Sequence, residues 1–375
     1  MMTTQFGSLP ELASEDPSPR RRREGRGLVF WYQAVRLARA SAACSYRMGH
    51  FAERLKGAVT MVDRRPPLAA VRGAKALIAV RPFVDDAAHA VLAAVHQQGA
   101  MRIADFDDLV FAGDPAEYPL VLNGSMNESA CAARMARYRE GLASFDAFTV
   151  STERLRDELA AVVPHARVEW VPNGLSAPWV RQGRALHRPW RPGDPRVIRY
   201  LSGSPSHDRD FASVMPVLAE LMRARSDVRL EIVGPVAVAL DGLDVDRVRC
   251  VPRVPYVDLP RLLASSWVTL APLAPTRFNA CKSAIKFIES AAFEAPCVAT
   301  PTADMERHRD GGALLARNEG EWYRAITSLL DDQQRVAAGR RARAWVDRHG
   351  RADDGAAALS RLIEAWKPSH KSTRH

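Results

Sequence analysis

The chain has 375 residues, 47% of them apolar and 26% charged, a balance that excludes a disordered polymer and suits two soluble cores of roughly 150 residues. Its formal charge is +10, with basic clusters near both ends, in Arg20–Arg23 and in Lys367, Lys371 and Arg374. Residues 1–26 and 367–375 are poor in apolar residues and read as disordered basic tails, suited to solubility or to peripheral contact with an anionic membrane, while the lack of a basic helix face argues against a nucleic-acid partner.

Five widely spaced cysteines (Cys44, Cys131, Cys250, Cys281, Cys297), without a C-x-x-C pair, argue against a disulfide framework or a zinc site and for a reducing compartment. Arg20–Arg23, then Leu28–Trp31, then Ala40–Cys44 mimic an export signal. Gln33, Arg36 and Arg39 leave its apolar run shorter than the roughly 7–15 residues such a core needs. With no run near the roughly 20 residues of a membrane span, the expected location is cytoplasmic, at most peripheral to the inner face of the membrane.

In chain order, short apolar runs predict strands at Leu28–Trp31, Val59–Val62, Ala76–Val80, Met101–Ala104, Ala147–Val150 and Val168–Val171. Amphipathic segments between them predict helices at Ala87–Gln97, Glu128–Leu142 and Glu153–Val162. The Pro- and Gly-rich stretch 175–195 lacks periodicity and reads as a linker. The pattern then restarts, with strands at Val197–Leu201, Arg229–Val233, Val248–Val251, Trp267–Leu270 and Cys297–Thr300. Helices are expected at Phe211–Arg223, Asp258–Ala264 and Ser283–Phe293, followed by three terminal helical stretches. This predicts an α/β protein with two Rossmann-like halves, 27–174 and 196–350, facing each other across a cleft, and a terminal helix at 351–366 able to pack back on the first half. Ligands in such folds sit at the carboxyl ends of the strands.

Three constellations follow from that placement. Tyr200-Leu201-Ser202-Gly203-Ser204-Pro205-Ser206-His207-Asp208-Arg209-Asp210 succeeds the first strand of the second half. Gly203 and Ser204 allow close backbone approach to a phosphate, with His207 and Arg209 as side-chain contacts; the plainer alternative is a turn whose Asp208 or Asp210 caps a helix. On a helix, Lys282, Lys286 and Glu289 share one face of an otherwise apolar segment. With Ser283 they suit a diphosphate and a ribose, or equally form a solvated stripe. Asp105, Asp107 and Asp108 end a strand, and offer a metal site, an acceptor-orienting group or base, or a cap.

The stretch Lys282 to Thr300, K-S-A-I-K-F-I-E-S-A-A-F-E-A-P-C-V-A-T, resembles the donor-binding segment of glycosyltransferase group 1 (family 4 type) enzymes of the GT-B fold. The Gly203 loop, Val171-Pro172-Asn173-Gly174 at the junction, Ala104–Val110 and the segment ending Cys44-Ser45-Tyr46-Arg47 extend the resemblance from about Leu28 to Gly350, within a bacterial subgroup that builds surface polysaccharides. It implies a metal-independent transferase without a cofactor, moving a hexosyl group from a UDP- or GDP-sugar to a glycan or lipid-linked acceptor with retention of configuration. Glu289 would hold the ribose, Lys282 the leaving diphosphate, and Arg47, Asn173 and Gly174 would lie on the acceptor and interdomain side. Asp105, Asp107 and Asp108 would serve the acceptor.

One departure bears on chemistry. Such enzymes carry a second glutamate eight positions before the first, touching the donor sugar, and here that position is Cys281 beside Lys282. A lysine cannot accept hydrogen bonds from sugar hydroxyls. A catalytically silent nucleotide-sugar binder or scaffold of the same fold is therefore the alternative, and a sugar-nucleotide epimerase a third. The absence of G-x-S-x-G, H-E-x-x-H and Walker patterns removes the common hydrolase, zinc-protease and NTPase readings.

Overall fold

A computed structural model describes residues 27–32, 42–55, 57, 59–63, 66–186 and 194–367. The tetra-arginine run and most of the C-terminal basic tail lie outside the described residues.

The first sheet comprises β1 (Leu28–Tyr32), β2 (Val59–Asp63), β3 (Ala76–Val80), β4 (Met101–Phe106), β5 (Ala147–Val150) and β6 (Val168–Trp170). All neighbours are parallel, in the order β2-β1-β3-β4-β5-β6. The second comprises β7 (Arg196–Leu201), β8 (Val228–Val233), β9 (Val248–Val251), β10 (Val268–Ala271), β11 (Cys297–Ala299) and β12 (Leu314–Leu315). Its order is β12-β11-β10-β7-β8-β9, again parallel. Strand order thus reverses between β1 and β3 in one sheet and between β7 and β10 in the other, the points at which open α/β sheets bind ligands.

The strands read as unbroken apolar runs because both sheet faces are covered. Alternate residues divide between two clusters. Val29, Trp31, Leu77, Ala79, Ala104 and Phe106 pack under the helices Asp86–Gln97, Glu128–Gly141 and Glu153–Val162. Leu28, Phe30, Ile78, Val80 and Ile103 face the other way, against Met48, Phe51 and the helix Asp353–Glu364 through Ala356, Leu359 and Leu362. The last helix of the chain therefore completes the core of the first half.

Several helices start on side-chain caps that the sequence supplies. Asp85 accepts from the Ala88 amide, Asn127 from Ala130 and Thr152 from Leu155. The expected helix Phe211–Arg223 is two, Asp208–Ala212 and Met215–Ala224, with Pro216 in the first turn of the second. The stretch read as linker also holds a helix, Ala177–Leu186, because Pro178 sits in the first turn where its missing N–H costs nothing. Trp179 and Val180 pack into the second half, and Gly183 lies so close to the Ala292 carbonyl that a Cβ would meet it at 2.0 Å.

The chain crosses between halves twice, at residues 171–176 and 350–352, and the crossings are joined. Leu175 N–H donates to the Gly350 carbonyl at 2.8 Å and Ala352 N–H to the Leu175 carbonyl at 3.0 Å. Gly174 is required there, since a Cβ would lie 2.4 Å from the Arg351 carbonyl oxygen. Among the described residues no helix is long and apolar enough to cross a membrane.

Candidate active site between the two sheets

On β4, alternation and burial separate three aspartates that the sequence groups together. Asp105 is buried; its oxygens receive Arg47 Nε at 2.9 Å and Nη2 at 2.6 Å, and Thr149 Oγ1 at 2.6 Å. Arg47, fully buried on the π-helical turn Ser45–Gly49, also donates to the Val171 carbonyl at 2.7 Å and to Asn173 Oδ1 at 2.8 Å. These contacts correct the acceptor role expected for Arg47 and Asp105. The two are a buried ion pair that fixes the first interdomain crossing, and neither lines the cleft. Asn173 does line it, and its Nδ2 donates to Ser283 Oγ of the other half at 2.9 Å.

Asp107 and Asp108, just past β4, face the cleft. Arg81 holds Asp107 through both carboxylate oxygens and reaches Asp108 Oδ2 at 2.7 Å. Asp108 Oδ1 accepts from Lys282 Nζ at 2.9 Å, so one carboxylate joins cations from both halves. Burial by itself pushes the Asp108 carboxyl up, but Lys282 and Arg81 outweigh it and hold the group below its ordinary value. Arg81 sits at φ 47° directly after β3, a left-handed position, and no sequence signal marks it.

In the second half the expected helix from Ser283 begins later, at Ile285, and ends at Ala291; Arg277–Ala280 is a separate turn of helix. Lys282 and Ser283 are consequently loop residues, not members of a helical stripe, yet they reach the cleft with Lys286 and Glu289. Cys281, where a carboxylate was sought, is fully buried in the apolar cluster of the first half, and burial pushes its thiol up to about 12. Its carbonyl accepts from Thr152 Oγ1 at 3.0 Å.

Lys286 lies with Nζ 5.2 Å from the Tyr200 ring centre, buried and without a hydrogen-bond partner. Burial pulls its ammonium below the ordinary lysine value, with Asp210 acting against that fall. Glu289 is buried at the cleft floor and accepts from Tyr46 Oη of the first half at 2.9 Å. Burial lifts its carboxyl to about 7, although Tyr46, Tyr256 and Lys286 favour the charged form. Tyr256 in turn meets His50 Nε2 at 3.0 Å and stacks on Trp179 at 4.6 Å.

The loop after β7 behaves partly as expected. Gly203, Ser204 and His207 line the cleft, and a Cβ at Gly203 would meet nothing within 4 Å, so its backbone is open to close approach. His207 Nδ1 lies 2.8 Å from Asp210; burial lowers its proton affinity and Asp210 partly restores it. Arg209 is exposed and does not line the cleft, which corrects its expected phosphate contact. The helix Asp208–Ala212 turns Asp210 and Phe211 inward and leaves Arg209 on the outer face.

Together these residues enclose a cavity of about 530 Å³, within the range of small-molecule sites. Both sheets' switch points open onto it, through Tyr32 at the end of β1 and Arg81 after β3, and through Ser202 and Leu273 after β7 and β10. Tyr46, from the segment Cys44–Arg47, also lines it, as do Arg81, Arg134, Arg253 and Tyr256, which nothing in the sequence singles out.

Residues 208–332 match the family model of glycosyl transferases group 1. No curated protein matches the chain in sequence. Among solved structures, sucrose-phosphate synthase from Thermosynechococcus elongatus superposes with a TM-score of 0.60 at 13% identity, covering 90% of this chain and 98% of that one. Anabaena HepE, in complex with UDP and glucose, gives 0.59 at 13% identity over 91% and 100%. A Listeria monocytogenes structure assigned as a UDP-N-acetylglucosamine 2-epimerase gives 0.51 at 13% identity over 92% and 98%. The chain thus has the GT-B fold, two parallel six-stranded sheets with flanking helices. Likeness at such identities defines architecture and leaves the reaction to the site.

Proposed function

We propose that the chain transfers a hexosyl group from a nucleoside diphosphate sugar, UDP- or GDP-linked, to a glycan or lipid-linked acceptor of cell-surface polysaccharide synthesis. The observation that carries this reading is Lys286, a buried ammonium without a hydrogen-bond partner, facing the cleft of a group 1 glycosyl transferase domain. Such a cation is costly unless an anion meets it, and a diphosphate supplies one.

In this reading the diphosphate lies between Lys286, Lys282, Ser283 and the open backbone at Gly203, with His207 beside it, and Glu289 accepts from the ribose. When the bond from the anomeric carbon to the phosphate oxygen breaks, its electron pair leaves on the diphosphate, and the two ammonium groups offset the growing charge. The acceptor hydroxyl enters along the wall of the first half, past Arg81, Arg134 and Tyr118, forms the new bond at the same carbon and gives up its proton to the oxygen of the departing diphosphate. Retention of configuration, independence of metal and of any cofactor, and a cytoplasmic site at the membrane's inner face belong to the same proposal. The structure of HepE with UDP and glucose lends support, as a protein of this fold holding a nucleotide and a sugar.

Thermal shift with UDP, GDP, CDP, ADP and their sugar conjugates, on wild type and Lys286→Met, tests the donor site. Ligand at a hundredfold excess over its Kd adds about 2.7 kcal/mol. Stabilisation by one diphosphate, lost in the variant, is expected; no stabilisation of folded wild type by any of them overturns the reading. Because Cys281 stands where a donor-sugar carboxylate was sought, a silent nucleotide binder is the second reading, and binding without release of diphosphate in the presence of acceptor extracts would select it.

A further inference from the structure

Sugar recognition needs an anchored acceptor of hydroxyl hydrogens, and position 281 offers none, because the Cys281 side chain is buried among apolar residues of the first half. Three carboxylates line the cleft among the described residues: Asp107, Asp108 and Glu289. Glu289 is engaged by Tyr46 and Tyr256 on the cleft floor. Asp107 spends both oxygens on one guanidinium, that of Arg81. Asp108 is different in kind. It has one oxygen on Arg81 and the other on Lys282, its side chain remains 14% exposed, and it is within electrostatic range of His207 in the loop after β7.

Given a nucleoside diphosphate sugar in this cleft, we infer that Asp108 is the residue that reads the donor sugar, supplied by the first half in place of a carboxylate at position 281. Lys282 and Arg81 keep it ionised and fix its plane, and a carboxylate with two such partners still has lone pairs for sugar hydroxyls. The substrate class this selects is a donor whose glycosyl unit presents at least one free hydroxyl toward the first half. Lys282 belongs to the other half, so its bond to Asp108 ties sugar recognition to contact between the halves. A nucleoside diphosphate alone needs no such contact.

The experiment compares affinities, by calorimetry, for UDP against UDP-glucose and GDP against GDP-mannose, in wild type and in Asp108→Asn. Expected is a sugar conjugate that binds wild type about 10- to 100-fold more tightly than its bare diphosphate, and an advantage, read as the ratio of the two affinities within each protein, that vanishes in Asp108→Asn. An unchanged sugar advantage in Asp108→Asn overturns the role of Asp108 and leaves the donor reading intact. Wild type that binds neither diphosphate nor conjugate overturns the donor reading first. Monofluorinated donors on wild type give a test free of any folding defect. Fluorine cannot donate a hydrogen bond, so one ring position is expected to lose about tenfold in affinity. Equal binding of every fluorinated donor overturns the inference.

Discussion

Tyr46, on a π-helical turn of the first half, donates its hydroxyl to Glu289, on a helix of the second, at 2.9 Å. Their bond makes a residue expected to serve the donor part of the contact between halves, and the burial that comes with that contact governs how the carboxyl responds to pH.

Burial raises the Glu289 carboxyl to about 7, well above its unfolded value. The folded state therefore holds the proton more tightly than the unfolded chain, and stability present below about pH 4.5 falls as pH rises toward 7 and beyond. Glu289→Gln lacks this loss. Melting curves from pH 5 to 8 are expected to show the variant gaining about 3 °C on wild type across that range; parallel curves would contradict a buried, proton-retaining carboxylate.

Lys286→Met should separate stability from binding. Replacing an unpartnered buried ammonium by an apolar chain of similar length is expected to raise the melting point of the free protein by about 2 °C. The same change should weaken diphosphate binding at least tenfold, because a charge-assisted contact is worth about 1.5–3 kcal/mol. Calorimetry and thermal shift on one preparation read both effects.

Asp105→Ala leaves the buried Arg47 guanidinium without its carboxylate. Urea unfolding is expected to show a loss of about 3–5 kcal/mol or failure to fold. Arg209→Ala, by contrast, alters an exposed side chain outside the cleft and should leave diphosphate affinity within twofold.

Gly174→Ala places a methyl group against the Arg351 carbonyl, and relief of that clash must displace the segment leading into the helix Asp353–Glu364. A cost of about 1–3 kcal/mol is expected. Limited proteolysis should cleave the last helix earlier in the variant than in wild type.

The two-sheet architecture was legible because buried parallel strands leave apolar runs of recognisable length; β3, β5 and β9 lie where the runs placed them. β12, two residues long, is below what any run can signal. The helix Ala177–Leu186 was hidden because Pro178 was taken as a break, whereas Trp179, Val180 and Gly183 carried a helical spacing. In the cleft, Lys282, Lys286 and Glu289 converge as expected although the helix starts after Lys282. Arg209 misled because one residue of phase on a five-residue helix turns a side chain from ligand to solvent. Arg81 and Tyr256 come from distant segments with no motif, and only the packing of one half on the other identifies them and the role of Tyr46.

The two crossings between the halves lie side by side and are tied by the Leu175 and Ala352 amides. Two parallel straps define a pivot line, as the paired leaves of a door hinge do, where a single strap would permit swivel in any direction. An opening of the cleft that kept both straps would turn about that line, and it would part the contacts that span the cleft together, Tyr46 with Glu289 and Asp108 with Lys282 among them.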